Sequence, residues 1–216
     1  MTHSSYLDLI ERESAKIGCQ ITKEAGKQLE WYLRELVKWN KKINLIGHKE
    51  EKDIIANLFV DSLAFSMILM QGPLGSALDV GSGAGFPGLP LKIYEPKLSV
   101  TLVEPNLKKV AFLHHIIGTL ALKNVQVEST RIEEIAHSRQ TQKTYDWILL
   151  KALRYDACLP YVRPLLSERG KAVISRSRKH ETLSDVMGFD VQKELFYQLP
   201  FGFGERVLIE LSPLSA

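Results

Sequence analysis

Ser76-Ala-Leu-Asp79-Val-Gly81-Ser-Gly83-Ala-Gly85-Phe-Pro87-Gly88-Leu-Pro-Leu91 is the stretch from which the rest of the chain is read. Residues 77–80 form a short apolar strand that carries Asp79 near its end. Gly81, Gly83 and Gly85 follow at alternate positions, with Gly88 next. Pro87 sits where a helix begins, and proline suits a first turn because its missing N–H is not needed there. The pattern is a strand, a tight glycine turn and a helix N-terminus. Glycines in such a turn let backbone approach a ligand and adopt positive φ without strain.

Two ligand classes use this arrangement. A dinucleotide sets its pyrophosphate on the helix N-terminus. S-adenosylmethionine (SAM) has no phosphate and lies across the same crevice. Counted from Gly81, the dinucleotide pattern G-x-G-x-x-G fails, because its sixth position is Phe86. Counted from Gly83 it holds, but that frame starts late relative to the strand and places Pro87 inside the turn. The pattern D-x-G-x-G-x-G fits Asp79 to Gly85 without adjustment and is the SAM-binding signature of Rossmann-like methyltransferases. SAM is therefore favoured over a dinucleotide, and both over a glycine-rich surface turn with no ligand.

Working outward, the 216 residues allow one large domain, or a domain with a sizeable extension. The chain is 45% hydrophobic and 25% charged, as in ordinary globular proteins. No apolar run approaches the ~20 residues of a membrane span. Residues 1–6 show neither a basic nor an apolar signal region, so no secretory leader is expected. Cys19 and Cys158 are far apart and lack metal-ligand spacing, which suits a reducing, cytoplasmic setting and argues against a zinc site. The net charge of +3 permits a nucleic-acid partner without demanding one.

Residues 5–17 read as a helix, with Ser5 and Asp8 as a capping pattern. Thr22 reads as the next N-cap, ahead of a stripe of Leu29, Leu33, Leu36 and Val37. A turn with Asn40, Asn44 and Gly47 ends that helix, and residues 50–70 read as helical again. Residues 1–75 are thus predicted to be a helical segment packed on a catalytic domain of residues 76–216. Strands are predicted at 77–80, 98–103, 124–128, 146–151, 171–175, 189–197 and 206–211, with helices between the first six. Such alternation implies an α/β fold with a mostly parallel sheet. Pro200 to Gly204 is too short for a crossover, so the last two strands must pair antiparallel. A parallel sheet of seven strands closed by an antiparallel hairpin is the Rossmann-like SAM-methyltransferase arrangement.

Ligands of open α/β sheets bind at the carboxyl ends of the strands. Glu104 ends the second strand, about 20 positions after the glycine turn, and is placed to take the ribose hydroxyls of an adenosine. Ser129 to Glu133 follow the third strand. There Ile132 and Glu133 are candidates for the adenine, although Thr130 and Glu133 also fit a capping box. Lys151 ends the fourth strand and could face the methionine carboxylate or an RNA phosphate, or simply solvent. Basic residues gather at Lys38, Lys41, Lys42, His48 and Lys49, and again at Arg176, Arg178, Lys179 and His180 after the fifth strand. The second group could hold a phosphate backbone. No phosphate loop, H-E-x-x-H or nucleophile elbow is present. No strong general base is evident, which suits an acceptor such as guanine N7 that already carries a lone pair.

The chain resembles the RsmG (GidB) family of bacterial 16S rRNA guanine-N7 methyltransferases. Trp39-Asn40-Lys41-Lys42-Ile43-Asn44-Leu45 is similar to the family's W-N-x-x-x-N-L, and Asp61-Ser62-Leu63 to its D-S-L. Leu78 to Gly88 resembles its glycine motif, including the F-P-G of Phe86 to Gly88. Lys108 to Leu113 resembles its K-R-x-x-F-L, and Gly204-Glu205-Arg206 its G-E-R. The resemblance implies that Gly81, Phe86, Ile132, Glu133 and Lys151 contact SAM. The family's S-R-A triplet is Leu150-Lys151-Ala152 here, and lysine lacks the planar fork of arginine. The expected activity is transfer of the SAM methyl to N7 of a guanine in 16S rRNA, leaving S-adenosylhomocysteine, by a monomer without membrane or metal. Asp79, Gly81, Gly83, Gly85 and Phe86 would shape the cofactor pocket. Arg176, Arg178, Lys179 and Arg206 are the candidates for RNA. Another RNA or protein acceptor, an NAD-dependent oxidoreductase and a non-catalytic RNA-binding module are the alternatives.

Overall fold

A computed structural model describes residues 6–72, 74–138, 144–177 and 188–214. Helix α1 (Tyr6–Lys16) opens it, so the predicted Ser5 cap lies outside the described residues. Helix α2 (Lys23–Asn40) starts as predicted, with the Thr22 hydroxyl accepting the Ala25 N–H. Ala25, Leu29, Leu33 and Leu36 turn one buried stripe inward. The turn after α2 is built by one side chain. Asn40 Oδ1 accepts the backbone N–H groups of both Leu45 and Ile46, at 2.8 and 3.0 Å.

Residues 50–70 are not the continuous helix that their periodicity predicts. The segment runs α3 (Glu51–Ile54), a π-helical turn (Ile55–Val60), α4 (Asp61–Leu63) and α5 (Ser66–Leu69). Two local causes act. The Asp61 N–H turns to the carbonyls of Ala56 and Leu58. The Asn57 carbonyl, which a regular helix would give to that N–H, instead accepts the Lys151 ammonium at 2.8 Å. The hydroxyls of Ser62 and Ser66 also bond back to the carbonyls of Leu58 and Leu63, a habit that bends helices.

The seven strands are β1 (Ser76–Val80), β2 (Ser99–Val103), β3 (Val125–Glu128), β4 (Tyr145–Lys151), β5 (Leu166–Ser177), β6 (Phe189–Gln198) and β7 (Glu205–Pro213). They form one sheet in the order β3-β2-β1-β4-β5-β7-β6. The first five are parallel, and β7 runs antiparallel to both β5 and β6. This is the predicted Rossmann-like topology with its hairpin. The largest boundary difference is at β5, which begins at Leu166. An irregularity between Tyr145 and Trp147 lets Ser167 to Gly170 be taken up before regular pairing resumes at Lys171. Between the strands lie α6 (Gly88–Tyr94), α7 (Leu107–Thr119), α8 (Ile132–His137) and α9 (Tyr155–Val162). The helix predicted between β5 and β6 lies outside the described residues.

Alternation along the strands sorts the core into two faces. Ala77, Leu102, Leu149, Val173 and Leu208 join one apolar cluster with Leu29, Leu33, Phe59 and Leu63 of the helical segment. Leu78, Val103, Ile148, Leu150 and Ile174 join the other, under α8 and α9. Asp79 shares the face of Ala77. The chain leaves β1 in one direction towards β2 and β3, and in the other towards β4 and β5. The carboxyl ends of β1 and β4 therefore border the switch point where open sheets bind ligands.

Candidate functional site

The glycine turn stands at that switch point. Gly81, Gly83 and Gly85 have φ of 64°, 60° and 101°, the left-handed region that favours glycine. The Ser82 N–H bonds to the Val103 carbonyl at 2.9 Å and ties the turn to β2. At Gly85 a Cβ would lie 2.5 Å from a Leu89 methyl carbon and 2.6 Å from the Tyr32 hydroxyl, so only glycine fits. At Gly83 such a Cβ would be in ordinary contact with the Gly81 carbonyl oxygen at 3.9 Å and the Lys109 ammonium at 4.0 Å, so there the positive φ, not space, favours glycine.

Asp79 is fully buried. Its Oδ2 accepts the Gly88 N–H at 2.8 Å, and Oδ1 has no partner among the described residues. Burial pushes its carboxyl up to about 7, against the opposing pull of the Gly88 N–H, the nearby Ser82 hydroxyl, which itself bonds to the Asp79 backbone carbonyl, and the Lys151 charge. Glu104 is buried at the end of β2. Its two oxygens accept the N–H groups of Gly83 and Asn106, both at 2.8 Å. A carboxylate has about four lone-pair sites, so Glu104 fixes the turn and keeps acceptor capacity.

Phe86 is buried and stacked on Tyr32, with ring centroids 5.3 Å apart and planes 8° from parallel. Phe59 meets both rings edge-on. The Tyr32 hydroxyl donates to the Ala84 carbonyl, so α2 grips the glycine turn directly. Tyr32→Phe keeps the stack and removes that donor. The expected loss is about 1 kcal/mol of stability, read by urea unfolding; an unchanged midpoint would show that the hydroxyl contributes nothing.

Lys151 is not the solvent-facing strand end that its residue type suggests. Its ammonium lies 3.0 Å from Asp61 Oδ2, with both side chains under a tenth exposed. Asp61 Oδ1 accepts the Tyr197 hydroxyl from β6, whose own ionisation burial and Asp61 push well above the usual range. Beside this pair, Arg206 of β7 donates to Asn57 Oδ1 at 3.0 Å. Asn57 Nδ2 donates to Asp53 Oδ1, and Asp53 Oδ2 meets His48 Nδ1 at 2.9 Å. A polar network thus runs from the end of β4 into the helical segment.

The remaining candidates are more dispersed. Ile132 is buried at the start of α8, and Glu133 is half-buried beside it. The capping box predicted for Thr130 and Glu133 does not form. The N-cap is Arg131, without a side-chain cap, and the Thr130 hydroxyl bonds to Glu134 instead. The guanidinium of Arg176 lies 4.8 Å over the Tyr155 ring. Arg178, Lys179 and His180 lie outside the described residues. Sequence reasoning missed Tyr32, Asn57 and Tyr197 as site residues. The available signal was a polar group on an apolar stripe: Tyr32 between Leu29 and Leu36, and Asn57 and Asp61 one turn apart between Ile54 and Leu63.

Comparison with known proteins adds to this geometry. The family described as rRNA small subunit methyltransferase G matches residues 25–200. The chain is 37% identical over 168 residues to the Ribosomal RNA small subunit methyltransferase G of Roseiflexus sp. (strain RS-1), covering 77% of this chain and 71% of that one. The protein of the same name from Desulforamulus reducens is 31% identical over 214 residues, 95% of this chain and 89% of its own. Among solved structures, a mutant of MtNAS in complex with S-adenosylmethionine matches with a TM-score of 0.59 at 14% identity, over 97% of this chain and 78% of that one. A putative methyltransferase, yhhF from Escherichia coli, matches with a TM-score of 0.56 at 13% identity, over 72% and 87%. At those identities the two structures speak to fold alone. The sequence relatives speak to descent, and by them the chain belongs to the rRNA small subunit methyltransferase G family.

Proposed function

We propose that the protein transfers the methyl group of SAM to N7 of a guanine in the 16S rRNA of the small ribosomal subunit. The observation that carries this reading is the D-x-G-x-G-x-G turn at the switch point of the sheet, in a chain of this family. The site's residues suit a nucleoside. The positive-φ glycine backbone at Gly81, Gly83 and Gly85 and the spare acceptor capacity of Glu104 are the features such a ligand needs. Bound SAM supplies an activated methyl on a sulfonium. Gly81, Gly83 and Gly85 would let backbone approach it, Glu104 would take the ribose hydroxyls, and Ile132 and Glu133 would border the adenine. Phe86, held by Tyr32, would wall the pocket.

Guanine N7 carries its lone pair at neutral pH, so no base has to take a proton before attack. Catalysis then rests on in-line positioning and exclusion of water. Lys151, expected to contact SAM, would do so with its charge already shared with Asp61 and the Asn57 carbonyl. The test is incubation with SAM and small subunits from a strain lacking the gene, followed by digestion of the rRNA and mass spectrometry. New 7-methylguanosine is the expected product. A different methylated nucleoside would refute the acceptor, and none at all would refute the reaction.

A further inference from the structure

We propose that the groove between the 40–49 turn and the start of α7 carries the phosphodiester backbone of single-stranded RNA into the crevice at Gly83. The proposal rests on the reading of that crevice given above, and extends it to the path of the substrate. The groove encloses about 700 Å³. Lys41, Lys49, Lys109, His48, Asn40 and Asn44 line it with polar groups, and no carboxylate does so among the described residues. Lys41 and Lys49 are exposed. His48 Nδ1 is engaged by Asp53, which leaves Nε2 as the nitrogen for a ligand.

Two features separate this groove from an ordinary solvated basic face. Its wall is pre-formed, because Asn40 Oδ1 holds two successive N–H groups of the turn. It also leads to the candidate site. The Lys109 ammonium that lines the groove stands 4.0 Å from where a Cβ on Gly83 would be. A row of lysines that ends beside Gly83 of the glycine turn suits a polyanion whose next unit enters the crevice. Lysine binds phosphates as a point charge and does not demand one base sequence.

The test uses the full chain and a fluorescently labelled single-stranded oligouridylate, with affinity measured over a range of salt. The variants are Lys41→Glu/Lys49→Glu, the same pair with Lys109→Gln, and Lys123→Glu. Lys123 is exposed after α7, away from the groove. Each phosphate contact to a single strand contributes about 0.7 to the slope of log affinity against log salt. The double variant is expected to lower the slope by about 1.4, and the triple by about 2, with at least about tenfold weaker binding at low salt. Lys123→Glu should match the wild type. Retained S-adenosylhomocysteine binding by the double variant would show that its fold is intact.

Parallel salt lines for wild type and double variant would overturn the proposal. So would equal competition by polyglutamate, which would assign the groove to acidic protein. Failure of the wild type to bind the oligonucleotide would also overturn it. Groove-dependent binding without methylation of rRNA would instead uphold the groove and overturn the reaction proposed above.

Discussion

Asp61→Ala should destabilise the protein by about 3–5 kcal/mol, the cost of leaving one member of a buried ion pair uncompensated. Among the described residues the Lys151 ammonium then keeps the Asn57 carbonyl as its hydrogen-bond partner, and Tyr197 loses its Asp61 acceptor. Desolvation makes the effect large: at the surface the same pair would contribute about 0–1 kcal/mol. The pair as a whole is expected to add little, since two charges must leave water to form it. Lys151→Met with Asp61→Leu should therefore be more stable than Asp61→Ala alone. Urea unfolding of Lys151→Met, of Asp61→Leu and of the double gives the coupling energy. If the double loses the sum of the singles, the two charges do not interact and the placement of Lys151 is wrong.

Asp79 gives the second large effect, and its sign is opposite to that of a salt-bridged acid. Burial raises its carboxyl in the folded protein from 3.8 to about 7. The native state then binds a proton more tightly than the unfolded chain. Stability from this group is fully present below pH ~4 and is lost as pH rises to about 7, by roughly 4 kcal/mol. Asp79→Asn retains an acceptor for the Gly88 N–H and removes the titration. The difference in unfolding free energy, variant minus wild type, should rise across that window and level off above it. Superimposable pH dependences for the two proteins would show that Asp79 does not titrate there.

The parts of the molecule legible in its sequence were those with local causes. The glycine turn announces itself because φ near 60–100° at Gly81, Gly83 and Gly85 demands a residue without Cβ. Glu104 could be found because a βαβ unit fixes the distance from one strand end to the next. The hairpin of β6 and β7 followed from the shortness of Pro200 to Gly204. The polar network did not follow, because its partners are remote in the chain. Tyr32 meets Ala84 across 52 residues, Lys151 meets Asn57 across 94, and Arg206 meets Asn57 across 149. A lysine at a strand end and an aspartate in a helix each look like surface residues until they are seen to face each other. The break of the 50–70 helix was hidden for the same reason. Its periodicity is intact, and the carbonyl that leaves the helical ladder does so for a lysine on β4.

The hairpin that ends the sheet also has a consequence for synthesis. Chains are made from the N-terminus onward. Asp61 and Asn57 are present early, but Tyr197 and Arg206 belong to the last two strands. The Lys151 ammonium that holds the kinked turn arrives with β4, but until β6 and β7 are in place Asp61 lacks the Tyr197 hydroxyl and the Asn57 amide lacks Arg206. A nascent chain with the glycine turn complete therefore still has an unfinished polar network at Asp61 and Asn57. A chain truncated before β7 would leave the Asn57 amide without its Arg206 partner and the edge of β5 without its antiparallel neighbour, so truncation there should show first as lost stability.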